Sequence, residues 1–210
     1  MEPKFWIDRW EENRIGFHED VFHPVLCKYW DTLSIDLSVP VFVPLCGKSR
    51  DLVWLRNRGH EVTGVELSEV AAQAFFKEND ISAERHQDGP FVCLRGSGYT
   101  FFIGDFFDLT PDFINPISAV YDRAALIALP SEMRRTYVQH LKTLCTSEAI
   151  GLLITVSYQV DQVSPPPFLV EPEEIKSLYD PWCKLNLLGI SETKVKGAEG
   201  CESAYRLQVR

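Results

Sequence analysis

From residue 39 to residue 157, short apolar runs alternate with stretches of helical length. That alternation restricts the fold more than any other feature of the chain. The runs at residues 39–45, 61–65, 118–121 and 149–157 suit buried strands. Helix signals lie between them. Ser49 precedes a stretch to Asn57 with Gly59 just beyond it, Ser68 precedes an Ala- and Phe-rich stretch to Glu78, and Ser131 opens a stretch to Leu144. Residues 91–94 and 99–103 flank a turn at Gly96 and Gly98 and read as a hairpin. Past the run Pro165-Pro166-Pro167, a helix is expected at 171–179 and strands at 184–190 and 203–209. At the N-terminus, Pro3 with Trp6 and Trp10 on one face predicts a short helix, and residues 20–32 a second. Repeated βαβ units bury a mainly parallel sheet under helices on both faces. The expected architecture is therefore an α/β sandwich whose last two strands pair antiparallel at one edge.

At about 150 residues per domain, 210 residues make one domain, 1–210, with residues 1–35 as a helical appendage over it. The formal net charge is −9, and no basic stripe interrupts it. Such a surface repels phosphate backbones and anionic lipid, which argues against a nucleic-acid or membrane partner. The six cysteines form no C-x-x-C pair and sit mostly in apolar runs, as free thiols do in a reducing compartment. The charged N-terminus lacks the apolar core of a signal peptide. The longest apolar stretch, 149–156, is far short of the ~20 residues that span a bilayer. A cytoplasmic monomer is expected.

In a sheet of this kind ligands bind beyond the carboxyl ends of the strands, where strand order reverses. The first strand ends in Pro44-Leu45-Cys46-Gly47-Lys48-Ser49. A phosphate-binding P-loop would need a Gly at position 42, which is Phe, and Gly47 stands alone where a dinucleotide fingerprint needs three glycines. The second strand ends at Glu66, 19 residues past Gly47, where a carboxylate holds ribose hydroxyls in nucleoside-binding sheets. A helix-capping acid beside Ser68 is the plainer alternative. Asp105 and Phe106 follow the hairpin and suit an adenine, although Phe106 equally suits the core. Asp122 and Arg123 follow the next strand, either as an ion pair or with Arg123 aimed into the cleft to hold an anion. The five histidines show no metal-ligand spacing, and no G-x-S-x-G elbow occurs, so neither a metal centre nor a serine hydrolase is expected.

Taken together, the segments around Trp10, Phe17-His18, residues 43–49, 59–62, 64–69 and 104–107, Asp122 to Leu126 and Pro166 to Phe168 resemble the thiopurine S-methyltransferases. Residues 44–49 replace the glycine-rich first motif of other S-adenosylmethionine (SAM) methyltransferases, and the compact chain is similar to bacterial members. The resemblance implies a Rossmann-like SAM-methyltransferase sandwich that binds SAM at Trp10, Leu45, Glu66 and Arg123, without a metal. Asp105 and Phe106 would face the adenine, Phe17 and the Pro-rich turn would wall the acceptor pocket, and Arg123 would be catalytic. The implied reaction moves the methyl of SAM to the sulfur of a thiopurine or other aromatic thiol, or to selenium or tellurium compounds. S-adenosylhomocysteine (SAH) is the product. The Arg-His substrate contact of animal members has no match in residues 194–200. Two other classes are open to the residues themselves: a nucleotide-dependent oxidoreductase, and a non-catalytic nucleoside-binding module.

Overall fold

In the computed structural model, which describes residues 2–210, the first apolar run forms β1 (Val41–Pro44). Met1, the first residue of the expected N-terminal appendage, lies outside the described residues. Ser49 accepts from the Asp51 amide at 3.2 Å and starts α3 (Arg50–Asn57), after α1 (Pro3–Glu11) and α2 (Pro24–Tyr29). β2 (Val62–Glu66) leads into α4 (Glu69–Glu78), where Ser68 caps the Ala71 amide at 3.3 Å. Both caps fall where a hydroxyl can satisfy an orphan amide of the first turn.

The hairpin signal becomes three strands: β3 (Glu84–Asp88), β4 (Phe91–Gly96) and β5 (Tyr99–Ile103). Then come β6 (Ile117–Arg123), the single turn α5 (Ala125–Ala128), α6 (Ser131–Leu144) and β7 (Cys145–Tyr158). The chain closes with α7 (Pro172–Tyr179), β8 (Cys183–Val195) and β9 (Ala198–Val209). Together the strands make one nine-stranded sheet in the order β3-β4-β5-β2-β1-β6-β7-β9-β8. The central five are parallel, and the expected C-terminal antiparallel hairpin is present. β9 lies inside β8 and runs antiparallel to β7.

Alternation along β1 sends Phe42 to one face and Val41 and Val43 to the other, and each face has its own core. Helices α5, α6 and α7 cover the Phe42 face with Tyr137, Leu141 and Ile175. Helices α2, α3 and α4 cover the other with Leu26, Leu52, Leu55 and Phe75. Strand order reverses at β1, whose neighbours β2 and β6 lead to opposite edges. The ends of β1, β2 and β6 are thus the switch point at which ligands bind. No helix among the described residues is long and apolar enough to cross a membrane.

Four expectations are corrected, the first being the span of the last two strands: β8 extends to Val195 and β9 starts at Ala198, past the expected 184–190 and 203–209. β3 has no counterpart among the expected strands, because its residues are all polar and it lies at the sheet edge, where no apolar run is required. The second N-terminal helix begins at Pro24 rather than 20 and ends in a tighter turn, Trp30–Leu33. β7 begins at Cys145 rather than 149, because Thr146 to Glu148 are polar and carry no apolar run to announce the strand.

Candidate active site

The turn after β1 is built on backbone that ordinary residues avoid. Leu45 has φ +47° and Gly47 φ +54°, the left-handed region that costs a side-chain-bearing residue about 1–2 kcal/mol. Strain of this kind concentrates where a site must be shaped. The fold of the turn aims the Gly47 amide at Oε2 of Glu66, at 2.7 Å, while the Ser68 amide donates to Oε1 at 2.8 Å. Glu66 is buried, and desolvation raises its pKa against the pull of those amides. The Gly104 amide after β5 meets the Glu66 carbonyl at 3.0 Å and brings a third strand end alongside. Each carboxylate oxygen keeps a lone pair beyond its backbone bond, so the two acceptors fit the vicinal hydroxyls of a nucleoside, which would donate to them.

α1 lies on this turn. A methyl group on Gly47 would stand 3.1 Å from Cζ2 of Trp10, so the indole rests directly on the glycine backbone. Trp10 is buried, and Phe17 packs edge-on against both Trp10 and Trp6, at 5.4 and 5.5 Å. Phe17 itself is 42% exposed, so these contacts leave part of the ring uncovered.

Arg123 ends β6, and the next residue, Ala124, has φ +68°. The Arg123 side chain, 18% exposed, pairs with Glu19 at 3.1 Å, in the segment between α1 and α2. The expected alternative of an Asp122–Arg123 pair does not form, because neighbours on a strand face opposite sides. Asp122 is fully buried and accepts from the Tyr137 hydroxyl at 2.7 Å; desolvation pushes its pKa up to about 6.

Asp105 accepts from the Phe107 amide at 2.9 Å and shapes the turn after β5. The Phe106 ring does not face the strand ends as the adenine reading would have it. It packs in the core against Phe42, Tyr137 and His140, since the short helix Phe106–Asp108 turns it inward. Cys46 is buried at the same turn, where burial and then Glu66 push its thiol well above the usual range, so it is packing rather than a nucleophile. A methyl on Gly64 would lie 2.6 Å from its sulfur, which explains the glycine beside it.

Sequence reasoning did not find the residues that hold the surroundings in place. Buried Asp51 accepts from the His23 amide and the Tyr121 hydroxyl, both at 2.8 Å. Buried Arg134 donates to the Leu129 and Leu169 carbonyls, both at 2.9 Å, and to Glu174 at 2.6 Å. It thereby ties the Pro-rich segment to α6 and α7. These contacts join residues 28 to 70 positions apart, for His23 and Tyr121 with Asp51, and no local pattern announces them.

Two other features lie away from the strand ends. A cavity of about 470 Å³ opens at the opposite end of the sheet, lined by Glu61, Glu84, Arg95 and Tyr99 among others. His86, Asp88 and Cys93 bring potential ligand atoms within 4.8 Å of one another on β3 and β4. Cys93 is a core residue whose thiol burial pushes up, which opposes the thiolate that a metal needs.

A sequence model of the thiopurine S-methyltransferase family matches residues 1–204. Thiopurine S-methyltransferase of Methylococcus capsulatus is 40% identical, over 100% of this chain and 99% of its own. That of Marinobacter nauticus is 45% identical over 85% of this chain and 82% of its own. Among solved structures, a SAM-dependent methyltransferase from Anabaena variabilis aligns with TM-score 0.70 at 16% identity, covering 99% of this chain and 95% of that one. The SAH-bound magnesium protoporphyrin IX methyltransferase of Synechocystis aligns with TM-score 0.66 at 14% identity, over the full length of both. The fold is thus the Rossmann-like SAM-methyltransferase sandwich, and the chain belongs to the thiopurine S-methyltransferase family.

Proposed function

We propose that this enzyme moves the methyl group of SAM to the sulfur of an aromatic thiol of the thiopurine class, acting as a monomer in the reducing cytoplasm. The observation that carries the site is the buried Glu66 carboxylate, held by the Gly47 and Ser68 amides at a turn covered by Trp10. Trp10, Leu45, Glu66 and Asp105 would hold the adenosyl group, and Arg123 with Phe17 would face the acceptor. Residues 1–35 would form a lid on the single methyltransferase domain.

When bound, SAM supplies an already activated methyl on a sulfonium. What remains for the chain is orientation and dryness. Glu66 fixes the ribose, and Trp10 packed with Phe17 keeps water from the strand ends. An aromatic thiol loses its proton near neutral pH, and Arg123 holds the resulting anion. An Arg stays protonated at any physiological pH, so it stabilises the thiolate rather than accepting its proton.

The test is calorimetric titration of SAM and SAH, with NADH as control, followed by methyl transfer to 6-mercaptopurine, thiophenol, selenite and tellurite. Binding of the adenosyl ligands with transfer to a thiol is the expected result. Removing one charged donor at the reacting anion typically costs about 10²-fold, so Arg123→Ala should lower kcat/KM by about that factor and Arg123→Lys by less. NADH binding in place of SAH, or unchanged kcat/KM in both variants, would overturn the assignment.

A further inference from the structure

We propose that Glu19 is a specificity-determining residue for the methyl acceptor, its carboxylate competing with an anionic acceptor for Arg123. The inference deepens the proposed function and rests on Arg123 facing the acceptor. Glu19 is the ion-pair partner of Arg123 among the described residues, at 3.1 Å.

The pair is unequal in its exposure. The Glu19 side chain is 51% exposed and Arg123 18%. Glu19 can therefore swing into water at small cost, whereas the charge of Arg123 stays in the cleft wall. An anion arriving at Arg123 replaces one carboxylate partner by another and leaves the cation neutralised throughout. A neutral acceptor obtains no such exchange. It meets an Arg123 already engaged.

Position, too, sets this contact apart from a casual surface pair. The segment that carries Glu19 is fixed at both ends. Upstream, Phe17 packs edge-on against Trp6 and Trp10. Downstream, buried His23 donates its amide to Asp51 at 2.8 Å, and its Nε2 lies 3.1 Å from Glu202 of β9. Between these anchors, His18 contacts Asp20 at 3.2 Å and lies within the field of Lys48, which follows Gly47. Residues 17 to 19 thus run from the α1 tryptophans, past the charge of Lys48, to Arg123 at the end of β6. The segment is held beside Arg123, while the half-exposed Glu19 carboxylate is free to leave it.

An ion pair this open to water changes an equilibrium by no more than about fivefold. The experiment measures 6-mercaptopurine binding to the SAH-loaded enzyme by calorimetry, and its KM and kcat, for wild type, Glu19→Gln, Arg123→Ala and the double variant. S-methyl-6-mercaptopurine, which carries no thiolate, is the neutral control. Glu19→Gln should tighten 6-mercaptopurine and lower its KM about two- to fivefold, without changing kcat, SAH affinity or binding of the neutral control. In the Arg123→Ala background the same change should have no effect. Unchanged or weaker thiol binding in Glu19→Gln overturns the proposal, as does an equal effect on the neutral control or in the Arg123→Ala background. A wild type that binds SAH but methylates no thiol overturns the acceptor assignment, and the role of Glu19 with it. Methyl transfer with an unmoved KM overturns the role of Glu19 alone.

Discussion

The Gly47 amide and the Glu66 carboxylate, 19 residues apart, meet at 2.7 Å and make the ends of β1 and β2 a single rigid unit. With the Ser68 amide on its other oxygen, the carboxylate is oriented before a ligand arrives, so little ordering is left to oppose binding. Hydrogen bonds to a charged group contribute about 1.5–3 kcal/mol. Glu66→Ala should therefore weaken SAH by roughly 10- to 100-fold in calorimetric titration. Glu66→Gln is not conservative here. Its amide nitrogen would face one of the two N–H donors, and a loss of about tenfold is expected. Wild-type affinity in both variants would remove Glu66 from the binding site.

The contact of Trp10 with Gly47 yields a second prediction. Alanine at position 47 must hold φ near +54° and accept a Cβ 3.1 Å from the indole. Backbone strain alone should cost Gly47→Ala about 1–2 kcal/mol in urea denaturation. The displaced indole should also change tryptophan fluorescence. In a Trp10→Ala background the steric part disappears and the cost of Gly47→Ala should shrink. An equal cost in both backgrounds would mean that the Trp10 indole does not rest on the turn.

How far the sequence announces all this depends on where each contact is made. The meeting of Gly47 and Glu66 is legible because a turn and a carboxylate at the ends of neighbouring strands each leave a local mark. β1 and β7 are legible because buried strands must be apolar. β3, Glu84–Asp88, is all polar and gives no such mark. Asp122 and Arg123 are legible as charges at a strand end, but their partners are not. Tyr137 reaches Asp122 from α6, and Glu19 reaches Arg123 from the N-terminal segment. Phe106 shows the limit from the other side, since an aromatic beside a cleft and an aromatic in the core read alike until the turn direction is known.

Arg134 tests the scaffold beneath the Pro-rich segment. Its side chain is buried, and its three bonds to Leu129, Leu169 and Glu174 diverge. Arg134→Ala would leave two carbonyls and a carboxylate without their donor, at a cost of about 3 kcal/mol, the low end for a broken buried pair. Lysine cannot reach three divergent acceptors, so Arg134→Lys should recover only part of the stability. Limited proteolysis should cut both variants within residues 159–170 faster than wild type. Unaltered cleavage would show that the segment is held by other contacts.

Asp122 gives a pH dependence whose sign can be worked out. Its carboxyl is raised from 3.8 to about 6 by burial, so between these values the folded protein keeps a proton that the unfolded chain has released. Stability rises with pH where the unfolded state binds more protons, and here it binds fewer. The contribution of Asp122 is therefore fully favourable below about pH 4, falls as pH rises to about 6, and stays low above that. At 1.36 kcal/mol per unit, the span is about 3 kcal/mol. An amide removes the titration and keeps the geometry. Its oxygen can accept from Tyr137 as the carboxylate does. Asp122→Asn should match wild type at pH 4 and exceed it by up to about 3 kcal/mol at pH 7, measured as the difference between urea midpoints scaled by the slope. A difference that does not vary with pH would mean that the Asp122 carboxyl titrates at its ordinary value in the folded protein.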